Sequence, residues 1–411
     1  FGGSRVAASY AESIVNNMKF YGGTVNSGFN IFGQGANDKF TGSSEIRIEG
    51  IFTIDGNIYG SSKLTSATES GTGNANIIIN STSASIRNIY GGGYSTTGTA
   101  TTGVLGNTNI TIDAGTINEI YGSGQNNGTS GNTNIILNNG TITNIYGGGY
   151  EAQAELGANI KVLGGTVNGN IYGGGNFTNS SITASDVISQ NATIIIGDST
   201  LDTAPTINGV IYGGGTNEKT RIAEIQLIKA ANAVTVYGGS SDIGGNTVTS
   251  RIYLNGATAG AIYGGGAGAN ATVNTSNIFL QAGTATDVYG GGFNTGTTTS
   301  NITLEGNAAA TNIYGGSNTS GVVGTSNVDL RSGTVTNVFG GGNSAAVGTA
   351  NVTLNGITID TIHGGSKNAG VTTKTNVVLN TGTVNTVFGG GLDIGVENSN
   401  VTQNGATVTT I

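Results

Sequence analysis

The sequence predicts an all-β fold, a single-stranded parallel β-helix (β-solenoid). Three observations predict it: a ring-bearing position that returns at near-constant spacing, short alternating strand patterns in step with it, and no helical periodicity. The unit is clearest in Asn144-Ile145-Tyr146-Gly147-Gly148-Gly149, which returns at Asn88–Gly93 and Asn170–Gly175. Its ring position reads Phe1, Phe32, Tyr59, Tyr90, Tyr121, Tyr146, Tyr172, Tyr212, Tyr237, Tyr263, Tyr289, Tyr314, Phe339, His363 and Phe388. From Tyr212 onward each step is 24 to 26 residues; earlier steps are 25 to 31, with one of 40 before Tyr212. Such a period marks a solenoid, in which each repeat touches only its neighbours. At about 25 residues per coil, the 411 residues make about 14–15 coils of one continuous solenoid over 1–411. The crossover preference of parallel strands makes it right-handed.

Composition agrees. Charged residues are 9% of the chain, far below the usual quarter, and there are 75 glycines, one proline, no cysteine and no tryptophan. A steady supply of Ile, Val and Leu excludes disorder. Polar surface must come from Thr, which tolerates strands, and Asn, which tolerates turns. The net charge is −8 and the 14 basic residues are scattered, so a nucleic-acid partner is not expected. No segment reaches the run of roughly 18 apolar residues that a membrane-spanning helix needs.

Ser300–Gly324 illustrates one repeat. Asn301-Ile302-Thr303-Leu304-Glu305 alternates polar and apolar, as a half-buried strand does. Gly306-Asn307 is a turn signal. Ala310-Thr311-Asn312-Ile313-Tyr314 is a second strand, ended by Gly315-Gly316. The polar run Ser317–Gly324, with Val322-Val323, is a third short strand or a corner. One long polar link per repeat suits a coil better than an array of hairpins with two-residue turns.

The position before the ring is always Ile or Val where it can be read (Ile145, Ile171, Val236, Ile313, Val338), which marks an inward column. Successive strand residues face opposite ways, so the rings are expected to point outward and form a surface ladder. The position of Thr303, filled elsewhere by Asp329, Ile136, Tyr253, Phe279 and Val378, is the tolerant outward column. Asn88, Asn144 and Asn312 are expected to make an amide ladder at a corner. Consecutive glycines let the backbone turn tightly. Glycine runs such as Gly264–Gly268 open no helix and so are not phosphate loops.

Along the chain, 61–75, 94–107 and 176–206 read as surface loop insertions; the last holds Pro205. Residues 212–411 are the regular part. Ile411 stops one residue short of a ring position and Phe1 supplies one, 24 residues after Phe388 when joined. The reading is a subunit that stacks head to tail, Ile411 end onto Phe1 end, as a heterologous contact that generates a filament. The alternative is a segment of a longer solenoid. The ladder and self-assembly residues are Phe1, Tyr90, Tyr146, Tyr172, Tyr212, Tyr263, Tyr289, Tyr314, Phe339, Phe388 and Ile411.

No chemistry is legible. His363, the one histidine, occupies a ring position and is read as structural. The carboxylates Asp113, Glu119, Asp198, Asp202, Asp287, Glu305, Asp329 and Asp360 are dispersed; Asp198 and Asp202 are the nearest to a catalytic pair. Gly33–Asp38 looks like a single calcium-binding nonapeptide, a motif that works as a tandem stack. Cys/His clusters are missing, so zinc is not expected. The expectation is no enzyme, no cofactor and no metal.

The Asn-Ile-Thr-Leu and Asn-Ile-Tyr-Gly-Gly-Gly units resemble the repetitive Gly/Asn/Thr-rich β-helical regions of bacterial surface adhesins and autotransporter-like passengers, over nearly the whole chain. The resemblance implies export, an extracellular or cell-surface location, and a role as stalk, fibre or adhesin. Two functions follow as expectations: a structural filament built from end-to-end copies, or an adhesin or stalk that binds surface glycans.

Overall fold

The computed structural model describes residues 15–35, 42–64, 73–96, 106–126, 131–152, 154, 156–177, 191–241 and 245–410. All-β architecture is observed: among these residues there is no helix, and the strands pair in parallel as coils of a β-solenoid. The chain divides into two compact units, Phe1–Gly209 with Gly215–Arg221, and Val210–Gly214 with Ile222–Ile411. One continuous solenoid over 1–411 was expected.

In the first unit, Ser43–Tyr59, Ala75–Ile79, Thr108–Ile112, Asn132–Leu137, Gly157–Val162 and Asn191–Ile196 lie over one another. Their register superposes Ile46, Ile77, Ile110, Ile135, Ile160 and Ile194, each no more than 1% exposed. The second unit repeats this through Thr247–Tyr263, Val273–Tyr289, Thr297–Leu304, Val323–Leu330, Val347–His363 and Thr372–Phe388. Here the stacked core residues are Ile252, Ile278, Ile302, Val328, Val352 and Val377. Period-two alternation puts these branched side chains inside, where each stabilises its coil by about 1.5–3 kcal/mol relative to exposure. Bonded amides in successive coils are 24 to 26 residues apart, which is the expected coil length.

Two expectations about turns need adjustment. Gly306, with φ +65°, does make a turn in its coil. In other coils of the second unit, Thr247–Tyr263 and Val347–His363 round the same corner as single strands of 17 residues, with a register shift after Leu254 and Leu354. A bulge serves there in place of a turn. The run with Val322-Val323 is not a separate strand: Val323 begins the next core strand, fully buried, while Val322 is 63% exposed.

The insertions are partly regular. Lys63–Leu64 pairs with Tyr94–Ser95, inside the stretches read as loops 61–75 and 94–107. Within 176–206, Asn191–Ile196 is a core strand paired with Gly157–Val162, and Thr206–Ile207 pairs with Thr166–Val167. The insertion is therefore shorter than its sequence suggested, because polar Asn191-Ala192-Thr193 hides a full coil strand. Residues 65–72, 97–105 and 178–190 lie outside the described residues, as do Phe1, Ile411 and Ala36–Asp38 of the nonapeptide.

Candidate functional site

Within each unit the ring position forms a stack. In the first, Phe32, Tyr59, Tyr90, Tyr121, Tyr146 and Tyr172 follow at centroid spacings of 4.7–4.9 Å with planes within 9° of parallel. In the second, Tyr212 and Tyr237 lie 5.4 Å apart, and Tyr237, Tyr263, Tyr289, Tyr314, Phe339, His363 and Phe388 continue at 4.5–5.1 Å. The spacing is the strand spacing, so parallel pairing alone brings like rings face to face.

The expected exposure holds at Phe388, which is 46% exposed, and is wrong for most other rungs. Tyr121 is 1% exposed, Tyr314 2% and Tyr289 5%. The rings do leave the strand on the side opposite the Ile and Val column: Tyr263, Tyr289, Tyr314 and Phe339 form their own cluster with Tyr237, Ala261 and Phe293. A second layer of chain then covers them. It comes from the residues just after the glycine corner: Tyr94 against Tyr59, Tyr150 edge-on to Tyr121, and Phe293 edge-on to Tyr263. Hydroxyls at the rim are bonded to the same layer. Tyr59 donates to Gln125 at 2.5 Å, Asn318 donates to the Tyr263 hydroxyl at 3.3 Å, and Lys367 to that of Tyr314 at 3.5 Å. Burial pushes the phenols up, Tyr59 and Tyr314 to about 12 and Tyr90, Tyr121, Tyr146, Tyr237, Tyr263 and Tyr289 in the same direction, so these rings stay uncharged.

His363 occupies one rung between Phe339 and Phe388, at 4.9 and 4.8 Å. Its Nδ1 is buried without a hydrogen-bond partner. Burial holds the imidazole below its ordinary value, against the opposing backbone bond to Gly391 and the charge of Asp393. A base whose folded pKa is depressed stabilises the fold fully above its unfolded value, near 6.5, and loses that contribution as pH falls below it. Melting between about pH 7.5 and pH 5 should therefore show a loss of stability that is smaller in His363→Phe, since both chains share every carboxylate.

Asn side chains form further ladders. Asn376 donates to Asn351, Asn351 to Asn327, Asn327 to Asn301 and Asn301 to Asn277, at 2.8–3.0 Å. Asn159, Asn134, Asn109 and Asn76 do the same in the first unit. The expected ladder at Asn312 is also present, with Asn337 donating to it at 3.0 Å. In these rows the amide Nδ2 points to the preceding coil, and the lowest rungs, Asn76 and Asn277, donate to the backbone carbonyls of Ser44 and Ser250, whereas Asn57 and Asn170 turn their Nδ2 to the Tyr59 and Tyr172 hydroxyls of their own strands. Elsewhere a carboxylate accepts from the amide of the next coil: Asp113 from Asn138, Glu119 from Asn144, Asp287 from Asn312, Asp329 from Asn355 and Asp360 from Asn385. Five of the dispersed acids thus each accept an asparagine amide from the next coil. Asp198 instead accepts the N–H and hydroxyl of Thr200 at 2.7 and 2.6 Å; these bonds lower its pKa and describe a local turn. Among the described residues no group of three His, Cys, Asp or Glu could hold a metal.

One feature was missed in the sequence. Inside the coil a hydroxyl staples the strand start to the glycine corner. Ser250 donates to the carbonyl of Gly264, Ser276 to Gly290, Ser300 to Gly315, Ser326 to Gly340, and Thr108 to Gly122, at 2.5–2.6 Å. The signal was available: Ser, Thr or Ala stands two residues before each stacked core residue, from Ile46 to Ile194 in the first unit and from Ile252 to Val377 in the second. The coil is too thin there for a larger side chain.

The fold and its ladders define a parallel β-solenoid repeat protein. Comparison of the chain with protein-family models, curated proteins and solved structures gave no match. No helix is long and apolar enough to cross a membrane among the described residues, which says nothing of a β-barrel.

Proposed function

We propose that this is an extracellular structural β-solenoid whose copies stack head to tail into a filament or fibre. The observation that carries the reading is the uniformity of the coil-to-coil interface. Within each unit the same strand register, ring stack and amide bond recur by translation. A surface that complements itself by translation is a heterologous contact, and such contacts propagate instead of closing. The partner in this reading is a second copy of the chain, end to end. Electron microscopy of the purified chain across a concentration series tests it. Filaments many molecules long are expected; dispersed short rods at every concentration count decisively against it.

A second reading, an adhesin or glycan-binding stalk of a bacterial surface protein, is favoured by one observation. On an outer face of the first unit, Thr53, Ser85, Thr116, Thr141, Thr166 and Thr206 stand in register, one hydroxyl per coil. Arg87, Asn118 and Thr143 flank them in a shallow groove of about 340 Å³. Hydroxyl and amide rows of this kind suit a neutral sugar chain. Binding on a glycan array that is lost in Thr116→Val with Asn118→Ala supports it, and an array without hits removes it.

A further inference from the structure

Seven Asn-Gly pairs occur in the sequence, and six of them lie among the described residues. An asparagine before glycine can attack itself, because glycine has no Cβ to keep its nitrogen away from the side-chain carbonyl. The solenoid holds most of these pairs out of that reaction. Asn208 donates to Asn168 at 3.1 Å, Asn355 to Asp329 at 2.8 Å and Asn404 to Asn380 at 2.7 Å, each across to the preceding coil. Asn168 accepts from Asn208, and the N–H of Gly169 donates to the carbonyl of Thr143 at 2.7 Å. Asn255 lies inside the strand Thr247–Tyr263. Asn139 is placed differently. It is exposed at the corner between Asn132–Leu137 and Thr141–Tyr146, and its Oδ1 accepts the N–H of its own neighbour, Gly140, at 2.8 Å. That bond holds the Gly140 nitrogen beside the side-chain carbonyl, and a rotation about Cβ–Cγ sets it over the carbon.

We propose that Asn139 is a self-modification site, where the folded chain turns an amide into an acid faster than at its other described Asn-Gly pairs. The Gly140 nitrogen gives its proton to solvent and attacks Cγ of Asn139. The new C–N bond closes a cyclic imide, and Nδ2 takes up a proton and leaves as ammonia. Water then opens the imide at either carbonyl. One opening yields aspartate; the other yields isoaspartate, whose main chain is longer by one carbon. Water is the co-reactant, and nothing is oxidised or reduced.

The place gives this change a consequence. A Cβ on Gly140 would lie 2.7 Å from the carbonyl oxygen of Gly115, and one on Gly165 would lie 2.5 Å from that of Gly140. The corner is therefore stacked between the corners of two neighbouring coils. Its Gly140 carbonyl accepts the N–H of Thr166, and the N–H of Thr141 donates to Gly115, both at 2.8 Å. A main chain lengthened between those contacts cannot keep both, so isoaspartate loosens this part of the first unit. The inference is independent of the fibre reading.

Peptide mapping by mass spectrometry tests it on the full chain, aged folded in mildly alkaline buffer and, in parallel, in denaturant. In the folded chain Asn139 should become an acid about two- to tenfold faster than Asn168, Asn208, Asn355 and Asn404, the factor that one ordinary hydrogen bond represents. In denaturant the rates should converge, since the fold is what separates them. Asn139→Gln should remove the fastest phase of ammonia release, because its longer side chain closes the imide less readily. The aged wild type should unfold at a lower temperature than the fresh protein, and Asn139→Gln aged alongside should keep its midpoint. Another Asn-Gly pair leading in the folded chain overturns the site. So does an undiminished lead of Asn139 in denaturant, ammonia release that Asn139→Gln leaves unchanged, or a midpoint that ageing lowers equally in both proteins.

Discussion

Tyr289→Ala is expected to destabilise the second unit by about 3–5 kcal/mol, the range for removing a buried aromatic side chain. Tyr289 stacks on Tyr263 at 4.8 Å and on Tyr314 at 4.7 Å and is 5% exposed. Alanine removes both stacking contacts and leaves a cavity between the strand and its covering layer. Tyr289→Phe keeps the ring and should cost no more than about 1 kcal/mol. Denaturant unfolding of the two variants separates the possibilities. A surface ladder would give changes within about 0.5 kcal/mol for both, the usual range for exposed positions. A small effect of Tyr289→Ala would therefore contradict the enclosed column.

Gly264→Val should be nearly as damaging, on the order of 3 kcal/mol, through overpacking and a lost hydrogen bond. The need for glycine here is close approach. A Cβ at Gly264 would lie 2.4 Å from the carbonyl oxygen of Gly290 and 2.5 Å from Oγ of Ser276. That same serine staples Gly290, so the added methyls strike the staple and the corner together. Ser276→Ala alone should cost about 1 kcal/mol, because it leaves the Gly290 carbonyl without that bond. In a double-mutant cycle, Gly264→Ala with Ser276→Gly should recover only part of the loss, since the Gly290 backbone still stands in the way. Full recovery would show that the side chain, not the backbone, sets the limit.

Much of the fold was legible in local pattern. Ile302 and Leu304 flank Thr303, and the structure buries the first two and half-exposes the third. Alternation is a property of the extended backbone, so no distant contact is needed to read it. The ring ladder was legible for the same reason: an equal period and parallel pairing place Tyr263, Tyr289 and Tyr314 over one another. Its enclosure was not. The direction of a side chain follows from its neighbours, but what lies on that side does not. The groups that meet the Tyr59 and Tyr263 hydroxyls come from Gln125 and Asn318, 66 and 55 residues away. Nothing at the rings themselves announces that cover.

The acids show the same division. Along the chain Asp113, Asp287 and Asp360 look unrelated; in space each accepts the amide of an asparagine 25 residues later. Their role depends on the direction in which those Nδ2 atoms point, a property of the stacked coils. Period, strand positions and the inward aliphatic columns follow from the sequence alone, because they arise from backbone alternation and a constant repeat length. The burial of the rings, the hydroxyl staples and the bonds from amides to the acids of the preceding coil were decided by tertiary structure. Each depends on which coil lies above and which segment folds over it, and those distances are set only when the coils stack.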